Sequence, residues 1–369
     1  MPAVEFLAAG TGLLELHTES RYVSRRGRQR PAWEMTVESD FSQESGRLTI
    51  IKLPRLTRLL DETEARIIML VAPAGYGKTT LAREWLDERP HAWYRGTEAT
   101  ADVAALAASL ADAAGSIVPG AGVRMGERMR ATGTPEQDVE PLAELLAEDL
   151  SAWPADAWLV IDDYHFALDS QASERFVDLL LALSPIRLFL TTRARPRWAT
   201  ARRLLYGEIY ELGRNLLAMS QDEATEILSH RRETEAGGLV ALAEGWPAVI
   251  GLAALTDDFD LPEGSLPDAL YDYLAEELYQ AARPEAKWGL CRLALAPSMM
   301  AELADFLLGA EAPDIVGEGL RLGVLTAPAK GALDVHPLLR AFLEAKFREF
   351  PEAEVDEDVA RIVRFLIAR

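Results

Sequence analysis

The chain has 369 residues, 49% of them apolar, which is enough for two or three domains with sizeable cores and excludes global disorder. Its formal net charge of −21 argues against the chain as a whole gripping nucleic acid, because such binding rests on neutralised phosphates. A single cysteine, Cys291, forbids an internal disulfide and fits a reducing cytoplasm, and neither a membrane-spanning stretch nor a signal peptide is visible, so a cytoplasmic protein is expected.

Residues 1–47 hold Arg21, Arg25, Arg26, Arg28 and Arg30 in one polar run without period, and read as a flexible N-terminal extension rather than a basic arm. From residue 67 onward, apolar runs predict strands at 67–71, 92–95, 158–162, 187–192 and 208–212. Helical patterns separate them at 79–88, 101–118, 139–152, 170–184 and 196–205, and the polar stretch 119–138 reads as a loop. Short apolar runs alternating with helices predict an α/β fold, a doubly wound parallel sheet of about five strands. After residue 213 the strand signal fades. Ser220 with Glu223 forms a capping box, and Pro247 suits the first turn of a further helix, giving a small helical domain at 213–265. The stretch 256–267 reads as a linker. Helices are expected near 268–281, 284–295, 299–309 and 313–322, followed by a hairpin of 323–327 with 332–335, a winged-helix pattern over 266–350.

Residues 72–79 read APAGYGKT, between an apolar strand and a helix, which is the arrangement a triphosphate needs. The candidates for holding nucleotide are Ala74, Gly75, Tyr76, Gly77, Lys78, Thr79 and Thr80. Lys78 supplies a cation for the β and γ oxygens, and Thr79 a hydroxyl for Mg²⁺. Ala72 stands where the common pattern has its first glycine, but Gly75 and Gly77 remain to let the chain wrap the phosphate. Residues 159–166 read LVIDDYHF, an apolar strand ending in two carboxylates. Asp162 is the expected Mg²⁺ residue, and Asp163 is the candidate to orient or deprotonate the attacking water, or else a helix cap. Arg193 ends the strand IRLFLTTR, a strand expected to lie between the phosphate-loop strand and the Asp-bearing strand. There it would sense the γ-phosphate, or else pair with a surface carboxylate.

Together with LPRLTRLLDE (53–62), EGWPAVIGLAAL (244–255) and HPLLRAFL (336–343), these motifs resemble the STAND class of signal-transduction ATPases. They look most like the nucleotide-binding region of MalT-like, LuxR-family ATP-dependent transcriptional activators. The resemblance covers about 48–350. It implies a P-loop domain at 48–212, a helical domain and a winged helix, closed around ADP with Mg²⁺ as the ATP partner. It also implies an adenine-side role for Arg55, packing of Pro247 on the base, and a reach of His336 to the ADP phosphates. Each has a plain structural alternative: a surface pair for Arg55, a helix start for Pro247, a satisfied core position for His336.

The resemblance further implies a switch that is locked by ADP at rest, opened by ATP with an unknown small-molecule or protein inducer, able to oligomerise in the ATP state, and slow to hydrolyse. The alternatives are a motor ATPase that remodels a protein partner and a stand-alone signalling or defence ATPase. Residues 266–350 carry a net charge of −5, so the winged helix reads as a lid on the nucleotide and the fragment is not expected to bind DNA. The segment 351–369 is expected to begin a helical region that is cut short, since in the family a repeat sensor and a LuxR-type helix-turn-helix follow.

Overall fold

The structure is a computed structural model that describes residues 52–131, 134–229, 240–241, 243–255, 268–280, 282–296, 299–325, 332–350 and 352–367. The chain divides into two units, Met1–Arg47 and Leu48–Arg369, and every described residue belongs to the second. The expectations for the extension at 1–47 and the linker at 256–267 lie outside the described residues.

Five strands, β1 (Ile67–Val71), β2 (His91–Arg95), β3 (Trp158–Asp162), β4 (Arg187–Thr192) and β5 (Ile209–Gly213), form one sheet in the order β2-β3-β4-β1-β5, all parallel. Successive side chains of a strand point to opposite faces. Ile68, Leu70, Val160, Phe189 and Leu212 therefore enter one core, while Ile67, Met69, Leu159, Ile161, Leu188 and Leu190 enter the other. A strand that is apolar on both faces needs cover on both, and the crossover helices that parallel pairing requires provide it. As expected, β4 lies between β1 and β3. Its register sets Thr192 beside Val71 and Leu190 beside Ile161, so the carboxyl ends of β1, β3 and β4 meet at one edge.

Two helical expectations change. The stretch expected to be a loop contains a helix, Val123–Ala131, and a 3₁₀ turn, Pro135–Gln137. Only Met125 of that helix is buried; it is tied down by Arg124 on Asp149 and Glu148 and by Arg128 on Asp138. The helix expected at 196–205 shrinks to Ala201–Leu205, because Pro196 and the inward turn of Trp198 hold the chain non-helical until Thr200 caps it.

Beyond β5, Ser220 and Glu223 form the expected capping box on helix Gln221–Ile227, and helix Pro247–Leu255 begins at its proline. Helices Asp268–Leu274, Pro284–Ala294, Ala301–Leu308 and Ala312–Leu322 follow, with β6 (Met299–Met300) between the second and third. β6 pairs antiparallel with β7 (Ala332–Leu333). The expected pairing of 323–327 with 332–335 is thus replaced, among the described residues, by pairing of β7 with a strand about thirty residues upstream. The order of helix, short strand, two helices and returning strand is compatible with a winged helix. Helices Pro337–Phe347 and Glu352–Ile367 close the unit.

Candidate functional site

The loop after β1 wraps because two of its residues take left-handed backbone, Gly75 at φ +77° and Gly77 at φ +70°, a region closed to most side chains. Gly77 then caps the helix Lys78–Leu86, whose first turn faces the loop with unpaired N–H groups. Lys78 is buried, and its Nζ donates to the carbonyls of Ala72 and Pro73 at 2.8 Å each. Burial, helped by the nearby charge of Arg193, lowers its pKa to about 8.

At the end of β3, Asp162 is fully buried. Its Oδ1 accepts from Thr79 Oγ1 at 2.9 Å and from Thr191 Oγ1 at 2.6 Å, while Oδ2 is buried with no hydrogen-bond partner. Thr191 also accepts from the Asp163 backbone N–H at 2.9 Å, so one hydroxyl on β4 holds the Asp162 carboxylate and the Asp163 main chain. Asp163 has φ +57°, unusual for a residue with a side chain. Its carboxylate meets Arg95 at 3.3 Å and lies 3.9 Å from His165 Nδ1. His165 is buried and held neutral, with a pKa far below the usual range, first by desolvation and then by the charges of Arg193, Lys78 and Arg321. Arg193 thus acts on both Lys78 and His165, where the strand order places it.

These residues fit a magnesium nucleotide. A buried carboxylate oxygen without a partner is costly unless a cation or donor meets it, and Asp162 Oδ2 is such an atom. The Thr79 hydroxyl gives its hydrogen to Asp162 and keeps its lone pairs. Among the described residues no cluster of three ligand-type side chains occurs, and Mg²⁺ bound to a nucleotide needs none, since phosphate and water fill most of its positions.

The loop is roofed by the rest of the chain. The Trp246 indole N–H donates to the Ala74 carbonyl at 3.1 Å, and the Ala248 N–H donates to the Gly75 carbonyl at 3.0 Å. Tyr76 stacks with Trp246 at 6.1 Å between centroids, and its hydroxyl accepts from Arg214 Nε at 3.0 Å. Gly323, after helix Ala312–Leu322, comes so near the loop that a Cβ there would lie 2.7 Å from Pro73 Cβ.

Lys78, Thr79, Asp162, Asp163 and Arg193 are therefore brought together, and Pro247 lies between two residues that touch the loop. His336 and Arg55 are engaged elsewhere. His336 accepts from Leu338 N–H through Nδ1 and donates through Nε2 to the Ala243 carbonyl at 3.0 Å, with its ring on the edge of Trp246 at 4.9 Å. Both nitrogens are in use, so its contact with the loop runs through Trp246 rather than directly to phosphate. Arg55 holds Glu223 at 3.2 Å and the carbonyls of Leu216 and Ala218, joining helix Pro54–Asp61 to the helical region. Sequence reasoning missed Thr191 and Trp246 as site residues, although both stand inside the motifs LTTR and EGWPAVIGLAAL.

Comparison with known proteins agrees with the motifs. Residues 61–196 match the family model described as an AAA domain. The HTH-type transcriptional regulator MalT of Vibrio cholerae is 25% identical over 338 residues, covering 84% of this chain and 37% of the relative. The MalT regulator of Vibrio campbellii is 26% identical over 342 residues, with the same coverage of 84% and 37%. The chain thus spans little more than a third of the length of these relatives. Among solved structures, a Walker-type ATPase of Pyrococcus abyssi matches with a TM-score of 0.51 at 15% identity, covering 82% of this chain and 99% of that one, which supports the fold. The chain is thus similar to the MalT regulators over most of its length, with an AAA-type P-loop domain at residues 61–196. Among the described residues no helix is long and apolar enough to cross a membrane.

Proposed function

We propose that the chain is the regulatory ATPase module of a MalT-like transcriptional regulator. In this reading it binds ADP in a closed resting form, opens with ATP and an inducer, and hydrolyses ATP slowly to reset. The observation that carries this reading is that Trp246, Ala248 and Gly323, all far along the chain from Lys78, pack on the four residues of the phosphate loop, Pro73 to Tyr76. A nucleotide held there is also held by the roof, so its identity can bias open against closed, which requires differential affinity for the two states.

The proposed division is a nucleotide domain at 48–212, a helical domain at 213–265, a winged helix at 266–350 and the start of a helical region at 351–369. Lys78 would leave the carbonyls of Ala72 and Pro73 for the β and γ oxygens. Asp162 and Thr79 would hold Mg²⁺, which neutralises charge on the phosphates. Asp163 orients water, Arg193 faces the γ-phosphate, and Pro247 packs on the base. Oligomerisation belongs to the open, ATP-bound form. The acidic winged helix serves as lid rather than as a DNA reader.

The test is the nucleotide released when the purified protein is denatured, read together with steady-state turnover. ADP near one per chain with slow turnover supports the switch. An empty protein with fast, sustained turnover refutes it in favour of a motor.

A further inference from the structure

The phosphate loop has four consecutive carbonyls, Ala72 to Gly75, and all four are engaged. Lys78 Nζ takes the first two. The helical segment takes the next two, through the Trp246 indole on Ala74 and the Ala248 N–H on Gly75. In a planar trans peptide the carbonyl and the N–H of one unit point in opposite directions. The Ala74 carbonyl belongs to the same unit as the Gly75 N–H, and the Gly75 carbonyl to the same unit as the Tyr76 N–H. Turning both carbonyls outward to the roof turns both N–H groups inward to the phosphate side. Among the described residues neither N–H donates to another protein group.

We infer that Trp246 is a positioning residue for polyphosphate: its indole N–H orients the Ala74–Gly75 peptide so that seating of the helical segment presents the loop's N–H groups to the ligand. The inference rests on the nucleotide-switch reading and names the residue that joins roof to loop.

The surroundings of Trp246 suit the part. The side chain is 1% exposed. One face stacks on Tyr76, itself pinned by Arg214, and the edge meets His336. The Trp246 backbone N–H and His336 Nε2 both donate to the Ala243 carbonyl, at 2.8 and 3.0 Å, so the C-terminal segment braces the Trp246 main chain through a shared acceptor while the His336 ring meets the indole edge. Gly75 has no space for a side chain, since a Cβ would lie 2.7 Å from Trp246 Nε1. The indole is therefore one of three groups, with Tyr273 Oη and Ala248 Cβ, that the roof packs directly on Gly75.

The experiment separates the phosphate side of the ligand from the base side. Trp246→Phe keeps an aromatic ring and removes the N–H donor; site-specific replacement of Trp246 with 3-benzothienylalanine does the same at full ring size, should the Phe variant fail to fold. ADP and inorganic pyrophosphate, which lacks the base, are titrated by calorimetry into the parent and the variant, with circular dichroism as the folding check. Loss of one neutral hydrogen bond predicts that both ligands weaken by a similar factor, roughly three- to tenfold. Unchanged affinities overturn the inference, and so does weaker ADP with unchanged pyrophosphate, because Trp246 would then act on the base side. A parent that binds neither ligand refutes the nucleotide reading itself, an outcome distinct from either of these.

Discussion

Gly75 and Gly77 make a matched pair, because both hold left-handed backbone in one loop while only the first is covered. Their φ values are +77° and +70°. A Cβ on Gly75 would stand 2.5 Å from Tyr273 Oη, 2.7 Å from Ala248 Cβ and 2.7 Å from Trp246 Nε1, whereas a Cβ on Gly77 meets nothing within 4 Å. Gly77→Ala should then show the backbone penalty alone, about 1–2 kcal/mol. Gly75→Ala adds overpacking against helix Pro247–Leu255 and Tyr273, about 1–3 kcal/mol more. At about 2 °C or more per kcal/mol for a chain of this size, the melting temperature of Gly75→Ala should fall below that of Gly77→Ala by roughly 2–6 °C. Both are measured without added nucleotide, so that phosphate contacts do not enter. Limited proteolysis should also cut the Gly75 variant faster after β5, where the roof begins. Equal melting temperatures and equal cleavage would mean that the roof does not rest on the loop, and the argument for a nucleotide-biased closure would lose its footing.

Lys78→Ala removes the buried cation of the loop and should abolish binding of ADP and ATP; calorimetry with parent-like affinity would sink the phosphate-loop assignment. Asp163→Asn keeps the shape and the Thr191 contact to its backbone but loses the anion, so ATP should still bind while single-turnover hydrolysis slows, and hydrolysis at the parent rate removes Asp163 from the chemistry. Burial pushes the His336 pKa down to about 4, against 6.5 in an unfolded chain, with Arg214 also lowering it, Asp334 raising it and Glu244 facing the ring. The unfolded state therefore binds more protons between these values, and stability is lost as pH falls from about 6.5 to about 4, by about 3 kcal/mol in all. His165 adds loss in the same window and persists in His336→Gln, so that variant should retain a shallower pH slope in urea denaturation; an unchanged slope would show that His336 titrates normally.

The nucleotide half of the unit was legible because its signals are local. An apolar five-residue run such as Ile67–Val71 reads as a buried strand with no knowledge of its neighbours, and a glycine-bearing loop ending in Lys-Thr carries its own chemistry. The order of β4 between β1 and β3 followed from recognising the class of fold, and the register then brought Thr191 to Asp162. What escaped depends on distant partners. Helix Val123–Ala131 buries one residue and is held by ion pairs to Asp149, Glu148 and Asp138, invisible to a periodicity argument. β6 is two residues long and, among the described residues, pairs with β7 across more than thirty positions, so a nearby run was the natural expectation.

The same distinction explains His336 and Trp246. A histidine in HPLLR suggested a ligand contact by resemblance, yet what decides its role is the Ala243 carbonyl, 93 positions earlier in sequence, and the ring beside it. That arrangement leaves His336 one layer behind the loop and puts an indole in front. A tryptophan ordinarily reads as core, and Trp246 is core by burial. Its N–H is the part that core packing does not explain. A buried indole donor needs an acceptor, and the acceptor here is a phosphate-loop carbonyl whose orientation sets the amide on its other side. Satisfying one buried polar atom of the roof is thus the same event as aiming one donor of the nucleotide site, and this identity lets a packing interaction report to a binding site without a charged relay between them.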